Sequence, residues 1–208
     1  MKFAMLPQRN TRVFLSNPKL LLAVAVSNVL IIGLCFATYG MDAEGAGVAT
    51  RSTARFAICF FLAGFAAPGL GKWLPWYPEG ANLIQAFVAA QMVHFCSVIA
   101  LHTKFATEPL QLGAPQIAII LVGFSIVLGA GITARPRAPS GIHHAAHRVL
   151  LYIIWLILAA DYAQHPIKSL RLVAIPLVIA LVLRHLPRGH ITDRKLAVEL
   201  PVYRIRES

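Results

Sequence analysis

The sequence predicts an all-α polytopic membrane protein in which six transmembrane helices form a bundle. Of its 208 residues, 58% are hydrophobic and only 13% are charged, and the mean hydropathy is +0.69. Several apolar runs reach the roughly 20 residues that a helix needs to cross about 30 Å of hydrocarbon. The runs are continuous, whereas the strands of a membrane β-barrel alternate apolar and polar residues.

The apolar runs place the six spans along the chain. A basic N-terminus covers residues 1–18 and precedes the first run. The predicted spans are 19–39, 55–74, 81–103, 115–134, 143–163 and 169–186. Together they give a transmembrane domain over residues 19–186, which a basic tail over residues 187–208 follows.

Glycine and proline predict where the helices are interrupted. The segment 40–54 is rich in Gly, Ala and Thr and is predicted to be a loop. Pro68, near the end of the second span, and Pro176, in the sixth, predict a break or a kink. Beyond Pro68, residues 72–77 combine a lysine with two tryptophans and a tyrosine, as expected at a membrane interface.

Small residues inside the spans predict close packing. Gly123, Gly129 and Gly131 in the fourth span should let its backbone approach a neighbouring helix. The three cysteines each fall inside an apolar run without the paired spacing of a zinc site. We therefore interpret Cys35, Cys59 and Cys96 as small core residues.

The basic residues predict the orientation of the bundle. Six spans put both termini on one side, and 14 of the 19 Lys and Arg residues then lie on that side. Because cytoplasmic loops carry the excess of Lys and Arg, both termini are predicted in the cytoplasm. The net charge of +11 is thus explained by loops and tails, and we expect lipid rather than nucleic acid as the partner.

His94 is the first candidate site residue, because it lies in the interior of the third span. An ionisable side chain inside the membrane is costly and usually functional. Imidazole is also a common axial ligand of haem iron. The alternative interpretation is a polar side chain that bonds to a neighbouring helix.

The fifth span opens with a histidine cluster over residues 143–147. His143 and His147 share a helix face, but neither an HExxH motif nor a third ligand accompanies them, so a zinc enzyme is disfavoured. His147 begins the apolar run. The next residue, Arg148, is a candidate partner for lipid headgroups or for a haem propionate.

Three segments resemble the ferric reductase-like transmembrane family of six-helix membrane proteins. They are Ala54–Pro68 in span two, Gln91–His94 in span three and Ala146–Trp155 in span five, and the resemblance covers roughly residues 50–187. In that family, spans three and five supply the histidines that bind b-type haem. The matching positions are His94 and His147.

This resemblance implies one haem b and an electron-transfer role. Family members often carry a second histidine about 13 residues after the first in span five, where this chain has Ala160 and Asp161. We therefore expect a single haem in a module of a reductase or respiratory complex. The partner would be a redox protein, and quinol is a candidate electron donor.

The pairing of the two ligands stays open at this stage. Counted along the helices, His94 lies roughly 20 Å and His147 roughly 6 Å from the cytoplasmic end of its span. His102 is the first substitute for His147, and His102 with His165 forms an alternative outer pair.

Two other functions remain compatible with the sequence. A haem-free structural or assembly subunit of a larger membrane complex would show the same small residues and aromatic belts. A small transporter or channel should carry charges in several spans, yet Asp161 is nearly the only carboxylate in a span interior. We therefore rank the transporter last.

Overall fold

A computed structural model describes residues 18–74, 76–105, 114–134, 141–164 and 173–186. These residues form helices without any strand, which confirms the all-α class for this part of the chain. The helices, in chain order, are α1 (Pro18–Tyr39), α2 (Ala43–Leu70), α3 (Gly80–Phe105), α4 (Ala114–Thr133), α5 (Gly141–Gln164) and α6 (Ala174–His185).

Four of the helices are long and apolar enough to cross a bilayer. They are α1, α2, α3 and residues 141–163 of α5. The apolar parts described in α4 and α6 are shorter and cover Ile120–Thr133 and Ala174–His185. The chain therefore has the composition and architecture of a helical membrane protein, and the crossing of all six helices stays a prediction.

The corner between α1 and α2 corrects the predicted loop over residues 40–54. Gly40 ends α1 with a φ of +92°, a conformation that glycine adopts without strain. Asp42 then caps α2, because its side chain accepts a hydrogen bond of 2.9 Å from the backbone N–H of Gly45. The chain is helical from Ala43 onward, so the connection is only three residues long.

The prolines end or begin helices here and do not interrupt them. Pro68 lies inside α2, only two residues before the helix ends at Leu70. Pro176 is the third residue of α6 and so lies in its first turn, where the missing N–H has no helical acceptor to lose. A kink at Pro176 within the predicted span 169–186 stays a prediction, because residues 169–172 lie outside the described residues.

Helix α2 is the centre of the bundle and packs against α1, α3 and α6, most extensively against α3. Its Phe61 and Phe65 are fully buried, with ring centroids 5.5 Å apart, and Phe61 also contacts Phe87 of α3. Helices α4 and α5 pack on each other, and they join the rest through α3 and α6.

Glycines mark the closest helix contacts. A Cβ at Gly131 of α4 would come within 3.0 Å of Val88 in α3, and one at Gly64 of α2 within 2.7 Å of Ile84. A Cβ at Gly129 would lie 3.4 Å from the side chain of Leu150 in α5. Gly123 faces open space, so the prediction that all three glycines of α4 meet a helix is wrong at this position.

The outward faces are apolar. Leu22 and Leu34 of α1 are 66% and 70% exposed, as expected for side chains that face lipid. Of the three free cysteines, Cys35 is buried, whereas Cys59 and Cys96 are exposed. The prediction of core cysteines is thus wrong at two positions, because a small apolar thiol also suits a lipid-facing surface.

Candidate functional site

His94 lies half-buried in α3 and contacts α2. Its Nδ1 atom is 3.0 Å from the hydroxyl of Thr53, which is fully buried. The same hydroxyl donates a hydrogen bond of 2.9 Å to the backbone carbonyl of Thr50, one turn earlier in α2. His94 therefore makes the contact between two helices that sequence reasoning weighed as its alternative interpretation.

His147 has the same kind of environment in another part of the bundle. It is half-buried in α5, and its Nδ1 lies 3.1 Å from the hydroxyl of Thr133, the last residue of α4. That hydroxyl donates to the backbone carbonyls of Gly129 at 2.8 Å and Ala130 at 3.1 Å. Each histidine is thus tied to a threonine that bonds back to its own helix.

The threonines favour one tautomer of each imidazole ring. A hydroxyl has one hydrogen, and in both cases a backbone carbonyl of the threonine's own helix accepts it. This arrangement favours the tautomer in which the oxygen accepts from Nδ1–H and Nε2 is unprotonated. Among the described residues the side-chain hydrogen bonds of both rings are made through Nδ1, so Nε2 is the nitrogen that each ring could offer to a ligand.

His147 lines a large cavity. The cavity has a volume of about 720 Å³ and lies at the end of the bundle where α2, α4 and α6 end and α3 and α5 begin. We call this the lower end and this space the lower cavity. Its lining includes Gly64, Ala67, Ala81, Thr133, His147 and Leu151. Small residues on α2 and α3 leave the space, and the volume is typical of a cofactor site.

Charged groups gather around the same cavity. Arg148 and Arg184 both line it, together with His144 and the carboxylate of Glu79. Arg148 is exposed, whereas Arg184 is half-buried. Two guanidinium groups against one carboxylate give this part of the lining a positive charge, which favours an anionic ligand.

Tyr77 closes one side of the lower cavity from the loop between α2 and α3. Its hydroxyl donates a hydrogen bond of 3.1 Å to the backbone carbonyl of Ala63. Burial raises the pKa of Tyr77 above its ordinary value of 10.0. The phenol is therefore neutral at physiological pH and adds no negative charge to the cavity.

The structure does not bring His94 and His147 together. Along α2, Thr53 marks the height of His94, and Gly64 is the lining residue of the lower cavity nearest to it in sequence. The eleven residue steps between them correspond to about 16 Å. Two nitrogens that bind one iron lie roughly 4 Å apart, because metal–nitrogen bonds are about 2 Å long.

The remaining predicted site residues are placed as follows. Arg148 lies at the lower cavity beside His147. His102 belongs to the last turn of α3, and its side chain lies outside what the structure describes, as does the whole of His165. Within the described ranges no group of three His, Cys, Asp or Glu side chains converges as a metal site.

Sequence reasoning missed Thr133 and Arg184 at the lower cavity, and it missed Thr53, the partner of His94. Each acts across a helix contact that no local pattern reveals. The one available signal for Arg184 was its position near the end of an apolar run, where a cation stabilises a helix C-terminus.

Comparison with protein-family models, with curated proteins and with solved structures finds no match for this chain.

Proposed function

We propose that this protein is a membrane-embedded electron-transfer subunit that binds one b-type haem in the lower cavity, with His147 as the protein ligand to iron. The observation that carries the proposal is the position of His147. Its Nδ1 contacts the hydroxyl of Thr133, which favours an unprotonated Nε2, and a space of about 720 Å³ adjoins the residue.

The chemistry of the lining fits this cofactor. Small and apolar residues such as Ala67, Ala81 and Leu151 suit the face of a porphyrin, and Arg148 and Arg184 suit its carboxylates. A hydrogen bond from Nδ1–H to a fixed acceptor orients a ligating imidazole and raises its basicity. His94 has the same hydrogen bond but does not line the lower cavity, so we assign it to the contact between α2 and α3.

When bound, haem supplies a one-electron redox centre. The chain's own residues hold, orient and tune it. His147 binds through Nε2, and Thr133 keeps that nitrogen unprotonated. Arg184 and Arg148 provide positive charge, which stabilises the more reduced state and therefore raises the reduction potential.

The proposal includes six spans with both termini in the cytoplasm of a bacterium, in its inner membrane. The excess of Lys and Arg on the N-terminal side supports this orientation. The lower end is then the cytoplasmic end, and Trp73 and Trp76, which are 45% and 76% exposed, lie in its interfacial zone. The electron partner is a redox protein, and quinol is a candidate donor.

An absorption spectrum tests the function. The full chain, expressed with ample haem and purified in detergent, should show a Soret band and a reduced α-band after dithionite addition. Extraction of the pigment should give about one haem per chain. A colourless protein that is folded and monodisperse would contradict the proposal.

That colourless outcome would favour a second function, a haem-free structural or assembly subunit. The contact of His94 with Thr53 supports this alternative, because it shows that a histidine within a span of this chain is satisfied by a neighbouring helix. Co-purification of a stable membrane complex, lost when the outward face of α1 is altered, would then be the expected result.

A further inference from the structure

Arg184 is the less exposed of the two arginines that line the lower cavity. It lies at the C-terminal end of α6 and lines the lower cavity together with His147. It is half-buried, in contrast to the exposed Arg148. A guanidinium group in such a position requires polar partners, because a buried charge is costly unless it is paired.

The surroundings of Arg184 fix its guanidinium group in place. One Nη1–H donates a hydrogen bond of 2.6 Å to the backbone carbonyl of Phe65 in α2. The guanidinium carbon lies 4.5 Å from the ring centroid of Phe65 and 5.2 Å from that of Tyr152 in α5. Residues of two other helices, α2 and α5, therefore hold this side chain, so it is preorganised before any ligand binds.

These contacts leave most of its donors unused. A guanidinium group has five N–H donors, and the Phe65 carbonyl accepts one of them. No carboxylate of the described residues forms an ion pair with Arg184, although Glu79 lines the same cavity. With respect to the described residues, the group is thus a fixed, half-buried cation whose other donors remain available beside an open space, which is the arrangement that binds an oxyanion.

We propose that Arg184 is the oxyanion-binding residue of the lower cavity and that it takes a carboxylate of the bound porphyrin. This inference rests on the proposed function. Arg184 then has the main role in binding a propionate, which the sequence suggested for Arg148. The side chain of Arg148 is exposed, and water screens its charge. The apolar wall around Ala67 and Leu151 favours a ligand with an apolar body and an anionic edge.

Haem and its dimethyl ester provide the test, because the ester has the same macrocycle without ionised carboxylates. Both compounds are titrated into the haem-depleted full-length protein in nanodiscs of zwitterionic lipid, and binding is followed at the Soret band. We expect wild-type protein to bind haem at least about tenfold more tightly than the ester, as for a charge-assisted hydrogen bond.

The variants assign that preference to one side chain. Arg184→Gln keeps an N–H for the Phe65 carbonyl and should bind haem and ester about equally. Arg184→Lys keeps the charge without the planar fork and should keep part of the preference, which provides a result even where the Gln variant folds poorly. Lys72→Gln is the control, because Lys72 lies at the same end and bonds the Leu186 carbonyl without lining the cavity.

Each other outcome has a distinct meaning. Equal binding of haem and ester by the wild-type protein overturns the role of Arg184 and leaves the haem function standing. A preference that survives Arg184→Gln but disappears in Arg148→Gln gives the role to Arg148. A preference that is lost when anionic lipid replaces zwitterionic lipid means that an anionic headgroup competes for Arg184, which overturns a site selective for the porphyrin carboxylate. Failure of both compounds to bind overturns the proposed function itself.

Discussion

At the scale of single residues, two threonine hydroxyls orient the imidazole rings of His94 and His147. Thr53 and Thr133 each donate to a carbonyl of their own helix and accept from Nδ1 of a histidine on the next helix. The contacts are nearly equivalent, yet only His147 adjoins the lower cavity. Removing the two hydroxyls should therefore have similar effects on stability and different effects on ligand binding.

The matched pair Thr133→Val and Thr53→Val tests this reasoning. Valine keeps the shape and removes the acceptor of Nδ1–H, so each variant should lose roughly 0.6 kcal/mol of stability, the average for a hydrogen bond between membrane helices. Thr133→Val should also lower haem affinity about tenfold, because the ligand loses its orienting partner. Soret titrations and thermal unfolding measure both quantities.

Equal haem affinity in the two variants would contradict the assignment of His147. A loss confined to Thr53→Val would instead make His94 the ligand.

At the scale of helices, glycine determines which faces of α4 pack and which face outward. A side chain at Gly131 would meet Val88 of α3, whereas one at Gly123 would meet nothing within 4 Å. The lower cavity depends on this packing, because Thr133 follows Gly131 by only two residues and Gln85 of α3 bonds the Ala134 carbonyl at 2.9 Å. The approach of α4 to α3 therefore positions the partner of His147.

Gly131→Leu should destabilise the protein by about 1–3 kcal/mol, because the larger side chain overpacks the contact with Val88. Gly123→Leu is the control on the same helix and should leave stability unchanged within about 0.5 kcal/mol. Thermal unfolding in detergent compares them. Equal melting temperatures would show that the face of α4 bearing Gly131 does not pack as described.

At the scale of the whole molecule, helix length and charge together predict the orientation. With 28 residues, α2 is about 42 Å long and exceeds the roughly 30 Å hydrocarbon core. Its first turns, which include the exposed Arg51, can therefore project beyond the hydrocarbon core at the end of the bundle opposite the lower cavity. This placement keeps Arg51 out of lipid in a topology where the lower end is cytoplasmic.

Single cysteines test that topology. Met41 is 70% exposed between α1 and α2, and Glu79 is exposed before α3 at the lower end. In a background with Cys59→Ser and Cys96→Ser, a membrane-impermeant maleimide should label Met41→Cys in intact cells. Glu79→Cys should react only after permeabilisation. Labelling of Glu79→Cys in intact cells would show that the lower end faces outward, which is opposite to the predicted orientation.

The sequence predicted the helices better than it predicted their contacts. Apolar runs placed most described helix ends within a few residues, because hydropathy and length set the spans. Residues 43–54 were missed, since their Gly, Ala and Thr composition hides a helix that Asp42 caps. His147 was singled out because it begins an apolar run and matches a histidine position of the resembled family, and its role as a ligand stays a prediction. Arg184 was missed, because its partner Phe65 is 119 residues away in the chain.

The central claim is that His147, and not a pair of His94 and His147, binds the cofactor. Visible spectra of His147→Ala and His94→Ala, each expressed with ample haem and shown to be folded, test it most directly. We predict that His147→Ala loses the Soret band, whereas His94→Ala keeps about one haem per chain with a lowered melting temperature. Loss of haem in a folded His94→Ala protein, or an unchanged spectrum in His147→Ala, would contradict the account.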